Sequence, residues 1–168
     1  MNIALNMLYA ASGVAGGGVY CRGLLTGLAS VDRTHRYRIY TRAGSTLPAL
    51  PADRFTQVET PVSDGSNLWR TAYEYGLLPV LARLDRTALF HGLGNMSPAP
   101  LSGPFVLTVF DVLIRHFPES LPLGPRKFME MVLPLSARRA DRVIVPSEAT
   151  ARQVVSLLAV QQSRARAI

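Results

Sequence analysis

The sequence has a single cysteine, Cys21, and a single lysine, Lys127. One cysteine excludes an internal disulfide framework and a cysteine-based metal site, and it fits a reducing compartment. On a helix, Cys21 is expected to pack as a small hydrophobe. No apolar run reaches the roughly 18 residues a spanning helix needs, so no membrane span is expected. The first 21 residues carry no charged side chain. They lack the basic start of a secretion signal, however, and Asn2 and Asn6 interrupt their apolar run. These absences point to a cytoplasmic protein, with the inner face of the membrane as a peripheral alternative.

The charge that is present is almost all arginine, and it sums to +7. It comes in spaced groups, such as Arg33, Arg36, Arg38 and Arg42, or Arg138, Arg139 and Arg142, without any solid block. Spaced arginines suit a solvated surface; they also suit attraction to an anionic acceptor or to acidic lipid headgroups. Specific nucleic-acid binding is not expected. The aromatics are not interleaved with the arginines, and no nucleic-acid motif occurs. At 168 residues, with 48% hydrophobic side chains, the chain is long enough and apolar enough for one packed domain.

Short apolar runs alternate with helical periodicity. Ile3–Leu8, Tyr37–Thr41, Phe55–Glu59, Ala88–His91, Phe105–Val109 and Arg142–Val145 read as strands. Helices are predicted over Val19–Ala29, with Val19, Leu24, Leu25 and Leu28 near one face, and from an Asn67 cap through Leu78, interrupted at Pro79. Two more are predicted over Arg126–Arg139, bent near Pro134, and over Glu148 to Leu158, with Asp111–Pro125 irregular. This alternation predicts an α/β domain with a parallel sheet flanked by helices.

In such folds ligands sit beyond the carboxyl ends of strands, so four exit segments matter: Tyr9–Gly18, His91–Pro98, Phe110–Glu119 and Pro146–Thr150. The first carries Gly13, Gly16, Gly17 and Gly18 before a helix, which suits either a phosphate cradle or a plain flexible turn. It matches neither standard nucleotide motif. A dinucleotide fingerprint from Gly16 requires glycine where Cys21 stands, and a P-loop requires lysine where Val19 stands. Asp111 ends a buried strand, where an acid can cap the next turn or reach a ligand. His91 and His116 are candidate acid–base groups, although an ordinary hydrogen-bonding role is commoner for a lone histidine. No nucleophile triad and no zinc-ligand spacing emerges.

Four segments, taken together and in order, resemble glycosyltransferase family 4. VLTVFDVLIRHFPE, Val106–Glu119, resembles that family's strand ending in Thr-aliphatic-His-Asp with Phe-Pro-Glu after it. ADRVIVPSEAT, Ala140–Thr150, resembles its strand and helix joined through Ser-Glu. ALFHGLGNMSP, Ala88–Pro98, resembles the strand and loop before them. Gly16-Gly17-Gly18-Val19-Tyr20 resembles its first glycine loop.

The resemblance implies a Rossmann-like domain forming one half of a GT-B fold. It implies residues 1–160 as the N-terminal, acceptor-side domain of a retaining glycosyltransferase, with 161–168 as an interdomain segment or tail. Nothing in the sequence resembles the donor-domain basic pair or spaced glutamates of such enzymes. Gly16 and Gly17 would then offer N–H groups to the donor phosphate, and Asp111 would orient the loop at the reacting centre. His91, Asn95, Ser147 and Glu148 would line the cleft or the acceptor. The family histidine before Asp111 is Phe110 here, which neither donates nor accepts a proton. No metal and no cofactor are implied beyond a nucleotide-sugar co-substrate. The expected partners are a glycan or lipid-linked acceptor and a second copy meeting an exposed interdomain face. The competing expectation is a non-catalytic glycan- or partner-binding domain derived from such an enzyme.

Overall fold

The computed structural model describes residues 1–9, 16–63, 67–99 and 103–168. Residues 10–15, Gly13 among them, lie outside these, as does the side chain of Asn67 and so its expected cap.

Seven parallel strands form one sheet in the order β3-β2-β1-β4-β5-β6-β7. They are β1 (Asn2–Asn6), β2 (Arg36–Thr41), β3 (Phe55–Glu59), β4 (Leu89–Leu93), β5 (Phe105–Thr108), β6 (Arg142–Val145) and β7 (Ala165–Ala167). The helices are α1 (Gly16–Val31), α2 (Asn67–Ala72), α3 (Leu78–Leu84), α4 (Leu113–His116), α5 (Leu123–Arg139) and α6 (Glu148–Leu158). Parallel strands need crossovers that cover both faces of the sheet, and the core divides accordingly. Alternate residues of β1 serve two clusters. Ile3 and Leu5 pack with Cys21 and Leu25 of α1, Tyr37 and Ile39. Ala4 packs with Phe90, Leu107, Leu78 of α3, Leu133 of α5 and Val154 of α6.

Periodicity located α1, but its buried stripe is Gly18, Cys21 and Leu25, with Val19 exposed. The helix buries the small residues Gly18 and Cys21 in its first turns and Leu25 one turn further on. Cys21 sits in this stripe as a small apolar side chain, its thiol pushed up to about 12 by burial.

The predicted interruption at Pro79 takes the form of a π-helical turn, Tyr73–Leu77, between α2 and α3. Leu78 N–H donates back to the Tyr73 carbonyl, five residues away, and Pro79 follows in the first turn of α3, where its missing N–H leaves no gap. Asp111–Pro125 is more ordered than expected. It holds α4, a 3-10 turn at Pro118–Ser120 and the start of α5. Pro125 lies in the first turn of α5, where helix N–H groups have no internal acceptor, so it does not delay the helix.

Residues 161–168, expected as an interdomain segment or tail, run through a 3-10 turn into β7, which pairs with β6 through Ala165 beside Val143. Only Ala165 of this three-residue strand is buried, too little for an alternating pattern to register. No helix among the described residues is long and apolar enough to cross a membrane.

Candidate functional site

The strand order reverses between β1 and β4, and this switch point opens a crevice beyond their carboxyl ends. Tyr9 leaves β1 there, and Gly94 leaves β4 against it. A Cβ on Gly94 would lie 2.6 Å from the Tyr9 ring, so only glycine admits this approach. One step earlier, a Cβ on Gly92 would lie 2.3 Å from the Ser97 Cβ. The two glycines fold the β4 exit tightly back under the crevice. Residues from His91 to Pro98 are buried as a result.

Asn95, in that exit, holds the neighbouring one. Its Oδ1 accepts the backbone N–H of Phe110 at 2.7 Å and that of Asp111 at 3.4 Å. The Asp111 carboxylate accepts Leu113 N–H at 3.0 Å, an Asx turn that leads into α4. Phe110 packs edge-on against Tyr20 of α1, ring centroids 5.3 Å apart. Through this contact the glycine-rich start of α1 sits beside the exit of β5.

A charged cluster forms the floor of the crevice. Asn6, the last residue of β1, donates to Glu74 Oε1 at 2.8 Å and lies 3.1 Å from Ser97 Oγ. Glu74 is buried in the π-helical turn, with the Arg70 guanidinium 3.7 Å from its other oxygen. Arg70 lies over the Tyr9 ring at 5.2 Å. Its side chain is 9% exposed, and its Nε has no hydrogen-bond partner among the described residues. Burial raises the Glu74 carboxyl above the ordinary carboxylate range, against the pull of Asn6, Arg70 and Arg42. Tyr9 is raised as well, by burial first and by the facing Asp111 carboxylate second.

The structure carries the expected site residues to one side of the sheet, beyond strands that are neighbours in the order β1-β4-β5-β6. Gly16 is exposed and Gly17 half-buried at the start of α1. Asp111 and Phe110 are half-buried after β5. His91 and Asn95 are buried, so they brace the floor of the crevice where a cleft-lining position was expected. His91 Nε2 is 2.9 Å from Thr108 Oγ1, and burial lowers its pKa to about 4. Its ring is therefore neutral at pH 7, exchanging one hydrogen bond with the adjacent strand. His116 is exposed at the end of α4 and is apart from this network.

Ser147 caps α6, its Oγ accepting Thr150 N–H at 3.1 Å. Glu148 is exposed in the first helical turn, where the helix dipole favours an acid. The contacts of Ser147 stay within α6. Among the described residues no three His, Cys, Asp or Glu side chains gather as metal ligands.

The sequence reading missed Arg70 and Glu74. Their signal was nevertheless present. Arg70, Tyr73, Glu74 and Leu78 fall on one helical stripe, and two apolar members of that stripe mark it as buried. A charged pair at i, i+4 on a core-facing stripe is the feature to look for.

With this geometry in place, comparison with known proteins is specific. The family model described as Glycosyltransferase Family 4 matches residues 14–168. Among curated proteins none matches the sequence. Among solved structures, a glycosyltransferase from Rickettsia africae ESF-5 superposes with a TM-score of 0.52 at 14% identity. The match covers 99% of this chain and 42% of that one, so this chain spans about two fifths of its length. At that identity the likeness speaks for the fold.

Proposed function

The chain belongs to glycosyltransferase family 4, and from that premise we propose that it forms the acceptor-side wall of an enzyme moving a sugar from a nucleotide-sugar donor to a glycan or lipid-linked acceptor. The observation that supports this reading best is the tie between Asn95 and the Phe110–Asp111 backbone beside the start of α1. It ties a carboxylate after β5 to the β4 exit, beside the glycine-started helix that follows β1, around one crevice.

In this reading the Gly16 and Gly17 N–H groups stabilise charge on the donor phosphate as the nucleotide leaves, and the sugar keeps its anomeric configuration. Asp111 holds the loop at the reacting centre, and Ser147 and Glu148 extend the crevice wall. Asn95 and His91 act from beneath as positioning residues. One wall cannot hold donor against acceptor, so these residues alone give no turnover. Self-association through the crevice face and a cytoplasmic setting belong to the same reading.

The test supplies a donor-binding domain of the same family in trans and measures transfer or nucleotide-sugar hydrolysis, with the chain as it stands and as Phe110→His. Turnover with either form supports the reading, and turnover with histidine alone makes Phe110 the inactivating residue. Absence of turnover with both overturns it.

Phe110 also supports a second reading, a binding domain that has lost transfer. Its ring packs on Tyr20 and supplies no proton at the position of the family histidine. That reading expects glycan binding, measured by calorimetry, with no turnover in any combination.

A further inference from the structure

We propose that Arg70 selects an acceptor carrying an anionic group, a sugar carboxylate or phosphate, and seats that group on the floor of the crevice. Arg70 stands on α2, and its side chain is 9% exposed. A guanidinium has five N–H donors and keeps its charge, so a buried one ordinarily has acceptors around it. This one is poorly supplied. Its Nε has no hydrogen-bond partner among the described residues, and the Glu74 carboxylate stands 3.7 Å away, beyond hydrogen-bond length.

Glu74 is also committed elsewhere. Its other oxygen takes the Asn6 amide at 2.8 Å, and burial opposes its ionisation, so it offsets the arginine only in part. The second contact of the guanidinium is the Tyr9 ring, 5.2 Å from its centre, which favours a cation but supplies no oxygen. Tyr9 leaves β1 where the strand order reverses, so the under-supplied cation is held at the crevice itself. A neutral side chain of similar length packs on Tyr9 equally well, and the charge is what such packing leaves unexplained.

The two oxygens of a carboxylate or phosphate match the guanidinium fork, whereas the hydroxyls of a neutral sugar bring no charge to it. The orientation follows from Asp111, whose carboxylate faces Tyr9 from the exit of β5 and repels an anion there. The anionic group therefore turns towards α2 and the neutral hydroxyls towards Asp111. That the ligand is an acceptor rests on the transferase reading. The anion site does not, and its test involves neither donor nor turnover.

The test is titration of the full chain with a uronic acid, a hexose phosphate and the unmodified hexose, followed by NMR shifts of the backbone amides. Both anionic sugars should bind, and the neutral one roughly tenfold more weakly or less. The tighter of the two anions identifies carboxylate or phosphate as the group recognised. Arg70→Met should lower affinity for both by about tenfold or more, and Arg70→Lys, which keeps the charge without the fork, by less. Glu74→Gln keeps an acceptor for Asn6 and removes the competing carboxylate, so it should bind at least as tightly as the unmodified chain. Arg36→Gln, at the far end of the sheet on β2, should change nothing. Circular dichroism checks that each variant is folded, and Arg70→Lys with Glu74→Gln carries the test if Arg70→Met is not. Equal affinity for the neutral hexose, no binding of either anion, or equal losses in Arg36→Gln and the Arg70 variants overturns the proposal. A loss in Glu74→Gln as large as in the Arg70 variants does so too, because the pair would then serve only the fold.

Discussion

Asn95 Oδ1 accepts the Phe110 backbone N–H at 2.7 Å, so one buried amide from the exit of β4 fixes the start of the segment after β5. The bond spans 15 residues of sequence and two adjacent strands. Asn95→Ala leaves the Phe110 N–H without this acceptor in a place where water has little access. The expected cost is about 1–3 kcal/mol, the penalty for an unmade buried bond. Urea denaturation should show a lower midpoint at an unchanged slope. A change within error of zero would mean that another acceptor takes over.

Glycines in this chain should respond to alanine with opposite signs. At Gly92 and Gly94 a new Cβ meets Ser97 and the Tyr9 ring well inside contact distance, and each substitution should cost about 1–3 kcal/mol through overpacking. Gly23 and Gly27 lie exposed within α1, and a Cβ added at either would meet nothing within 4 Å. There alanine should stabilise by about 0.5–1 kcal/mol, because it removes unfolded-state freedom and suits a helix. Thermal unfolding of the four single variants separates the two groups. The same sign in all four would refute the idea that close approach fixes the β4 exit.

The sheet was legible because its central strands are buried on both faces and read as apolar runs between polar breaks. Away from the centre, the edge strand β3 and β6 also begin and end where the sequence placed them, marked by polar breaks rather than by burial on both faces. The crevice was legible in part, since strand exits follow once strands are assigned. Its floor was not. Asn6 and Glu74 meet across 68 residues, a contact that no local pattern encodes, and the π-helical turn that carries Glu74 shifts the helical register within the segment. The burial of His91 escaped for a related reason. Burial depends on how Gly92 and Gly94 let the β4 exit fold back, and a histidine on a strand carries no sign of that by itself.

His91 should make the fold sensitive to mild acid. Its folded pKa, about 4, lies below the ordinary value of 6.5 because burial disfavours the charged ring. Between these values the unfolded chain binds a proton that the folded one does not, so stability falls as pH drops from 6.5 towards 4. A gap of that size amounts to about 3 kcal/mol in full. His91→Gln keeps a polar side chain beside Thr108 and removes the titration. Denaturation of both forms at several pH values should give curves that converge as pH falls. Parallel curves would mean that His91 keeps an ordinary pKa in the fold.

Glu74 tests which effect governs the floor of the crevice. Burial opposes its charge, while the Asn6 bond, Arg70 and Arg42 favour it, and burial is the larger. Its folded pKa therefore lies above the ordinary value, and from that value upward the folded chain holds a proton that the unfolded one releases. The stability contributed by Glu74 is complete below its unfolded pKa and is lost as pH rises through the folded one. Glu74→Gln can still accept from Asn6 but cannot ionise. The stability of the unmodified chain relative to Glu74→Gln should therefore decline as pH rises above 4.5. If Arg70 dominated instead, the carboxyl would lie below its ordinary value, and the difference would move towards the unmodified chain over the same acidic range. Paired denaturation curves across that range decide between a floor held mainly by a buried ion pair and one whose carboxyl resists ionisation. In the second case Arg70, whose Nε has no hydrogen-bond partner among the described residues, is the better-placed charge to meet an anionic group entering past Tyr9.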